Sequence, residues 1–138
     1  MGDVLHGLPA VTALKQRHPD WHVGWAIEPR WAPLLSPEIV DTIHEVPTRA
    51  WKQRGLSVAT VREILALRWA LRAGRYEVVV DLQGSIRSAV IAKMAGAAGV
   101  AGPAEPRERQ ARMFYTQRVE LQSEHVIQQA CELSLIHI

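Results

Sequence analysis

The stretch Tyr76–Ser85 (YEVVVDLQGS) constrains the fold of this chain more than any other part of the sequence. Apart from Glu77, its run Tyr76–Val80 is apolar, which is typical of a strand in a parallel sheet that is buried on both faces. A polar turn, Asp81–Gly84, follows, and Ser85 is suited to cap a helix over residues 85–95. The stretch predicts a strand, a turn and a helix. Open α/β sheets bind ligands at such turns, where the carboxyl end of a strand leads into a helix.

The turn itself leaves two interpretations open for each of its polar residues. Gln83 and Gly84 either line a binding cleft or form a plain turn at the end of a strand. Asp81 either caps the turn that follows it or touches a substrate. The residues alone do not choose between these roles.

The start of the chain predicts a similar turn from a strand into a helix. Gly2 and Asp3 precede segment 9–18 (PAVTALKQRH), whose apolar residues fall on one side of a short helix. The proline that opens the segment suits a first helical turn, and Pro19 ends the helix. We expect Asp3 to project from a glycine turn at the ligand-binding edge of the sheet. Because such a turn needs a strand before it, we expect the natural protein to begin upstream of Met1 with an apolar strand.

The remaining segments predict a Rossmann-like, doubly wound parallel α/β fold. Helix 58–73 has a broad apolar face and a stop at Gly74, with Thr60 and Glu63 at capping-box spacing. The apolar face consists of Val61, Ile64, Leu65, Leu67 and Leu71. The other expected elements are strands at 21–27 and 41–46, one or two helical turns at 31–35, a short strand around Val100 and a final helix from about Ser123.

Residues 48–55 (TRAWKQRG) are basic and lack apolar periodicity, so the sequence predicts a loop there. Arg49, Lys52 and Arg54 surround Trp51. One interpretation is a solvated positive loop. The other is a site where cations and an indole face receive an acidic sugar or a phosphate, since arginine binds carboxylates with two parallel hydrogen bonds.

Composition narrows the class of partner. The 138 residues have 48% hydrophobic content, enough for one domain with a real core. A net charge of +2 with 16 Lys and Arg favours a small anionic ligand over the coating of nucleic acid. The single cysteine, Cys131, excludes an internal disulfide, and no apolar run reaches the length of a membrane span. We therefore expect a cytoplasmic protein.

Five segments together resemble the lipopolysaccharide heptosyltransferase I family. They are MGDVLHGLPAVTAL at 1–14, TRAWK at 48–52, YEVVVDLQGSIRSA at 76–89, the pair Arg107-Glu108 followed by Phe114-Tyr115, and His125. Their order and spacing are similar to the amino-terminal half of that family. The resemblance implies the acceptor-binding, amino-terminal domain of a GT-B glycosyltransferase over residues 1–132, without its first strand and without the carboxy-terminal domain that binds the donor.

The resemblance also implies an activity. Members of the family transfer L-glycero-D-manno-heptose from ADP-heptose to Kdo of Kdo2-lipid A, with inversion, in the synthesis of the lipopolysaccharide inner core. By this likeness the full-length parent is peripheral to the cytoplasmic face of the inner membrane, uses no cofactor or bound metal, and binds no nucleic acid. We expect the 138-residue chain alone to be inactive, because the donor site would lie in the absent half.

Residue by residue, Asp3 matches the family's catalytic base. Matches at substrate-binding positions are expected at Gly2, His6, Arg49, Trp51, Lys52, Gln83, Gly84, Arg107 and His125. Ala50 and Gln53 stand where some relatives carry further cations. His6 and His125 are equally consistent with hydrogen-bonded histidines in a cleft wall.

Two alternatives to this function stay open. One is a related heptosyltransferase with another acceptor, and the other is a non-catalytic module that binds a nucleotide or an anionic sugar. The last six residues, Leu133–Ile138, back-translate to an end sequence of transposon-based DNA libraries, so we expect a non-native tail there; a genuine helix end is the other interpretation.

Overall fold

The structure is a computed structural model that describes residues 2–119, except for the side chains of residues 2–4, 6 and 119. The predicted helix from Ser123, the site residue His125 and the tail 133–138 lie outside the described residues. Helices and strands alternate in the order α1 (Gly2–Arg17), β1 (Gly24–Ile27), a first 3₁₀ helix (Pro29–Leu34), β2 (Thr42–Glu45), α2 (Thr48–Arg54), α3 (Val58–Ala73), β3 (Val78–Val80), α4 (Ile86–Met94), β4 (Gly99–Pro103), a second 3₁₀ helix (Arg109–Phe114) and β5 (Gln117–Val119).

The five strands form two parallel sheets. β1 pairs with β2, and β4 lies between β3 and β5. Parallel pairing is what strands separated by helices require. Within residues 2–119 no strand bonds to both sheets.

The prediction that β3 is buried on both faces is wrong for the part that the structure describes. Val78 is 44% exposed, and Val79 and Val80 are only partly buried. Among the described strands, β3 bonds to β4 alone, so it is an edge strand whose other side lacks a hydrogen-bonded neighbour. The apolar run was interpreted correctly as a strand, and among the strands that the structure describes it is not a central one.

Helix α1 begins at Gly2 rather than at Pro9, so the predicted glycine turn is the first turn of the helix. Pro9 lies inside the helix, where it has no backbone N–H to donate. Leu8 and Val11 pack against the buried cluster around Ile27. That packing offsets the cost of the proline, which is about 3 kcal/mol in a helix interior.

The predicted loop at 48–55 is also wrong, because residues 48–54 form helix α2. Its start is held by the carboxylate of Glu28, which accepts hydrogen bonds from the hydroxyl of Thr48 and, at 3.0 Å, from the backbone N–H of Arg49. Trp51 packs against the cluster that contains Val46. A helix of this length is stabilised by such tertiary contacts rather than by its own periodicity.

Helix α3 has the predicted bounds, but its predicted cap and apolar face need correction. Ser57, not Thr60, is the cap, and its hydroxyl accepts from the backbone N–H of Thr60 at 3.2 Å. Leu67 and Leu71 are buried as expected. Other members of the predicted face are not, since Val61 and Leu65 are exposed and Ile64 is only partly buried.

Two further elements are as predicted. Ser85 caps α4 through its hydroxyl, which accepts from the backbone N–H of Ser88 at 3.1 Å. β4 contains Val100, which is 1% exposed and packs with Ala89 and Ala92 of α4. None of the helices within residues 2–119 combines the length and the hydropathy that spanning a membrane requires.

Candidate functional site

The candidate site lies where the carboxyl ends of the strands meet. Glu28 follows β1 and Thr48 follows β2, and the two side chains are hydrogen-bonded. Arg87, at the start of α4, donates to the hydroxyl of Thr48 at 3.3 Å. This contact joins the end of the first sheet to the end of the second. We call this edge, with the turns that follow β1 to β4, the carboxyl rim.

The turn after β3 is shaped by Gly84. Its φ is +67°, which favours glycine, and an added Cβ would lie 2.9 Å from the backbone nitrogen of Arg107. Its carbonyl accepts from the backbone N–H of Glu108 at 2.9 Å. The structure therefore brings three predicted site residues together, because Gln83 precedes Gly84 in the chain and Arg107 lies against it. Gln83 and Arg107 are both exposed.

Asp81 is a structural residue of the rim, which decides between its two interpretations. The side chain is 4% exposed, and one carboxylate oxygen accepts from the backbone N–H groups of Gln83 at 2.9 Å and Gly84 at 3.2 Å. The other oxygen accepts from the hydroxyls of Ser88 at 3.0 Å and Tyr115 at 2.6 Å. With four donors in place, Asp81 holds the turn.

Tyr115 is the partner that the sequence analysis missed. Burial raises the pKa of its hydroxyl, and the hydrogen bond to Asp81 raises that pKa further. The hydroxyl is thus a stable donor at all ordinary pH values. The pair Phe114-Tyr115 was noted only as part of a resemblance, and no local pattern connects it to an aspartate 34 residues away.

Trp51 and the basic residues of α2 divide into two groups, one bound to α3 and one exposed. The indole N–H of Trp51 donates to Glu63 at 2.8 Å, and Arg54 donates to both oxygens of the same carboxylate at 3.0 and 2.6 Å. Arg54 and the indole N–H lower the pKa of Glu63. Trp51 therefore anchors α2 on α3, whereas Arg49 and Lys52 are exposed.

The helix that carries Gly2, Asp3 and His6 reaches the rim through Gly7. An added Cβ at Gly7 would lie 3.2 Å from the side chains of Leu82 and Trp25, so the backbone of α1 lies close to the turn after β3. The side chains of Asp3 and His6 are outside the described residues. Their substrate roles stay predictions, as does that of His125.

A second basic surface was not predicted as a site. Arg109, Arg112 and Arg118 line an open cavity of about 420 Å³ with Gln110 and Met113. Arg118 donates to the carbonyl of Arg112 at 3.5 Å. Among the side chains that the structure describes, no three of His, Cys, Asp or Glu are grouped as metal ligands would be.

Comparison with known proteins assigns the chain to a family. Residues 64–135, just over half of the chain, match the model of glycosyltransferase family 9 (heptosyltransferase). The chain belongs to glycosyltransferase family 9. It is 33% identical over 137 residues to lipopolysaccharide heptosyltransferase 1 of Salmonella typhimurium, and equally identical to that of Escherichia coli K12. Each alignment covers 96% of this chain and 43% of the relative.

Two solved structures of this family confirm the fold. E. coli heptosyltransferase WaaC with ADP-2-deoxy-2-fluoro heptose superimposes with a TM-score of 0.88 at 30% identity, over 98% of this chain and 44% of the other. The same enzyme with ADP gives a TM-score of 0.86 over 98% and 43%. The predicted Rossmann-like domain of a GT-B fold is confirmed, and the chain spans less than half the length of the relatives it matches.

Proposed function

We propose that the chain is the acceptor-binding half of a heptosyltransferase. In the full-length parent it transfers L-glycero-D-manno-heptose from ADP-heptose to Kdo of Kdo2-lipid A. The observation that supports this most is the 33% identity to lipopolysaccharide heptosyltransferase 1 along nearly the whole chain. The ADP-bound form of a structural relative supports a nucleotide sugar as donor.

Asp3 is the proposed general base. The acceptor hydroxyl attacks the anomeric carbon of the heptose, the bond from that carbon to the diphosphate breaks, and ADP leaves. A single displacement of this kind inverts the anomeric configuration. The carboxylate takes the hydroxyl proton as the new bond forms, which its reference pKa of about 3.9 permits at neutral pH.

The exposed cations of the rim are the proposed acceptor contacts. Arg49 and Lys52 project from α2, and Arg107 lies beside Gly84. Kdo carries a carboxylate and lipid A carries phosphates, so each cation has an anionic group to bind. Gly2, His6, Gln83, Gly84 and His125 complete the proposed acceptor site.

The proposed parent uses no organic cofactor and no bound metal. ADP-heptose is bound through the other half of the parent, and the enzyme contacts the cytoplasmic face of the inner membrane peripherally. The 138-residue chain alone is expected to release no ADP from ADP-heptose. ADP release by that chain would contradict this part of the proposal.

The test is the substitution Asp3→Asn in the full-length parent. Loss of a general base is expected to reduce kcat by about 10²- to 10⁴-fold with little change in the KM for ADP-heptose. Asp20→Asn, an exposed aspartate just after α1, is the matched control and should leave kcat unchanged. A near-normal kcat for Asp3→Asn would remove that residue from the mechanism.

A further inference from the structure

Helix α3 carries an apolar stripe that faces away from the core. Val58, Val61, Leu65 and Trp69 are 74%, 44%, 49% and 77% exposed, and Leu56 just before the helix is 94% exposed. We call these five residues the outer stripe. They follow one another at spacings of two to four residues, and the helical part of the stripe is about 16 Å long at 1.5 Å per residue.

The stripe lies opposite the face by which α3 joins the domain. At 100° per residue, Leu65 and Trp69 point about 160–200° away from the buried Leu67. Thr60 and Leu71 are buried on the same inner side as Leu67. A surface helix normally has one apolar face, so the second one indicates contact with something other than the described part of this domain.

The charges around the stripe are of one sign. Arg62 and Arg68 are exposed and, by helical spacing, border the stripe on opposite sides, and the exposed Arg72 lies in line with the stripe about one turn beyond Trp69. The only acid of α3 is Glu63, whose carboxylate is engaged by Arg54 and Trp51 away from the stripe. The surface is thus apolar along its axis and cationic along its margins.

We propose that the outer stripe docks on an anionic lipid surface. Tryptophan lies at the headgroup level of bilayers, leucine and valine enter the acyl boundary, and arginines at the margin bind anionic headgroups. This proposal rests on the proposed function, because the acceptor proposed there is a lipid, and it adds the surface by which the enzyme reaches that lipid. The stripe shares no residue with the proposed acceptor cations of the rim.

A second copy of the chain is a poorer occupant. Two copies packed stripe to stripe about a two-fold axis would bring the bordering arginines of both copies together. Like charges facing each other across an interface disfavour association. The same arginines favour a surface of phosphate headgroups, so charge complementarity selects the lipid.

The test measures binding of the full-length parent to vesicles. Vesicles of phosphatidylcholine with phosphatidylglycerol are compared with vesicles of phosphatidylcholine alone by co-sedimentation. The parent is expected to bind the anionic vesicles more tightly, and added salt should weaken that binding. Leu65→Gln with Trp69→Gln should weaken it on the order of tenfold or more, because two exposed apolar side chains no longer enter the bilayer.

Leu34→Gln is the matched control. Leu34 is 42% exposed, close to the value for Leu65, and lies in the first 3₁₀ helix outside the stripe. It should leave vesicle binding unchanged. Equal binding by the parent and the stripe variant, or no binding by either, would overturn the proposal.

Two further measurements show whether protein, rather than lipid, covers the stripe, and whether the proposed function or the docking surface is at fault if a test fails. Acrylamide quenching of Trp69, taken as the difference between the parent and Trp69→Phe, should be strong without vesicles and weak with them; protection without vesicles would show that the parent itself, or a second copy, covers the stripe. Transfer to detergent-dispersed acceptor is measured separately. Stripe-dependent binding without transfer rejects the proposed function, and transfer without stripe-dependent binding rejects the docking surface.

Discussion

The hydroxyl of Tyr115 donates a hydrogen bond of 2.6 Å to the carboxylate of Asp81, and this contact connects the end of the second 3₁₀ helix to the turn after β3. Both side chains are buried, Tyr115 at 7% and Asp81 at 4% exposure. The same carboxylate holds the backbone of Gln83 and Gly84. The geometry of the rim therefore depends on a tyrosine that is remote in the sequence.

Tyr115→Phe is expected to destabilise the domain by about 1–3 kcal/mol, because a buried carboxylate oxygen loses a donor. The measurement is urea unfolding of the full-length parent and the variant. Tyr76→Phe is the matched control, since its hydroxyl pairs at 2.6 Å with the ring of His44 rather than with a carboxylate. The loss should be larger at Tyr115, and an unchanged unfolding midpoint there would refute the role given to this bond.

Gly84→Ala is expected to raise the KM for the acceptor and lower the unfolding midpoint. A left-handed φ strains alanine by about 1–3 kcal/mol, and the new methyl group also pushes against the backbone of Arg107. Gly55→Ala separates the two effects, since Gly55 has a φ of +66° and no atom within 4 Å of an added Cβ. Both variants should lose stability, but only Gly84→Ala should change the KM. If both change it equally, or neither does, the Gly84–Arg107 contact does not shape the acceptor site.

Arg49→Ala and Lys52→Ala are each expected to raise the KM for the acceptor by about tenfold while kcat changes little. Each cation is proposed to contact the acceptor equally well in the bound complex and in the transition state, so its loss weakens binding without slowing the reaction step. The KM for ADP-heptose should not change. Lys93→Ala, an exposed lysine in the last turn of α4, is the matched control. Unchanged acceptor KM values for both α2 variants would show that these cations do not bind the acceptor.

The elements predicted well are those whose signals are local. Helix α3 shows its length by apolar periodicity and its end by Gly74, and Ser85 caps α4 through a residue three positions on. The run before Asp81 correctly predicted strand β3 and the turn that follows it. These contacts join residues that are close in sequence, so the local sequence pattern is enough to predict them.

The elements predicted wrongly depend on distant residues. Helix α2 is held by Glu28, about twenty residues before it, and by Glu63, 9–12 residues after its anchoring side chains. The sequence left two roles open for Asp81, and the bond from the distant Tyr115 helps to decide for the turn. The split face of α3 arises because periodicity identifies apolar positions but not which of two apolar sides meets the core.

The stability of the domain is expected to fall on mild acidification because of His44. Its ring is 7% exposed and bonded to the hydroxyl of Tyr76, and burial, with a smaller contribution from the charge of His22, lowers its pKa below the ordinary 6.5. The folded state therefore prefers the neutral ring, whereas the unfolded chain protonates near pH 6.5. This contribution is fully present above that value and is lost as the pH falls from it through the lower folded-state pKa.

Unfolding midpoints in urea, measured between about pH 7 and pH 5, check this expectation, since protonation of most carboxylates contributes below that window. The parent should lose stability across it. His44→Gln, which keeps a polar side chain but does not titrate, should be less stable at pH 7 and show a shallower slope. Because the slope arises from the difference in proton binding between the folded and unfolded states, an equal slope in parent and variant would assign the acid sensitivity to other groups.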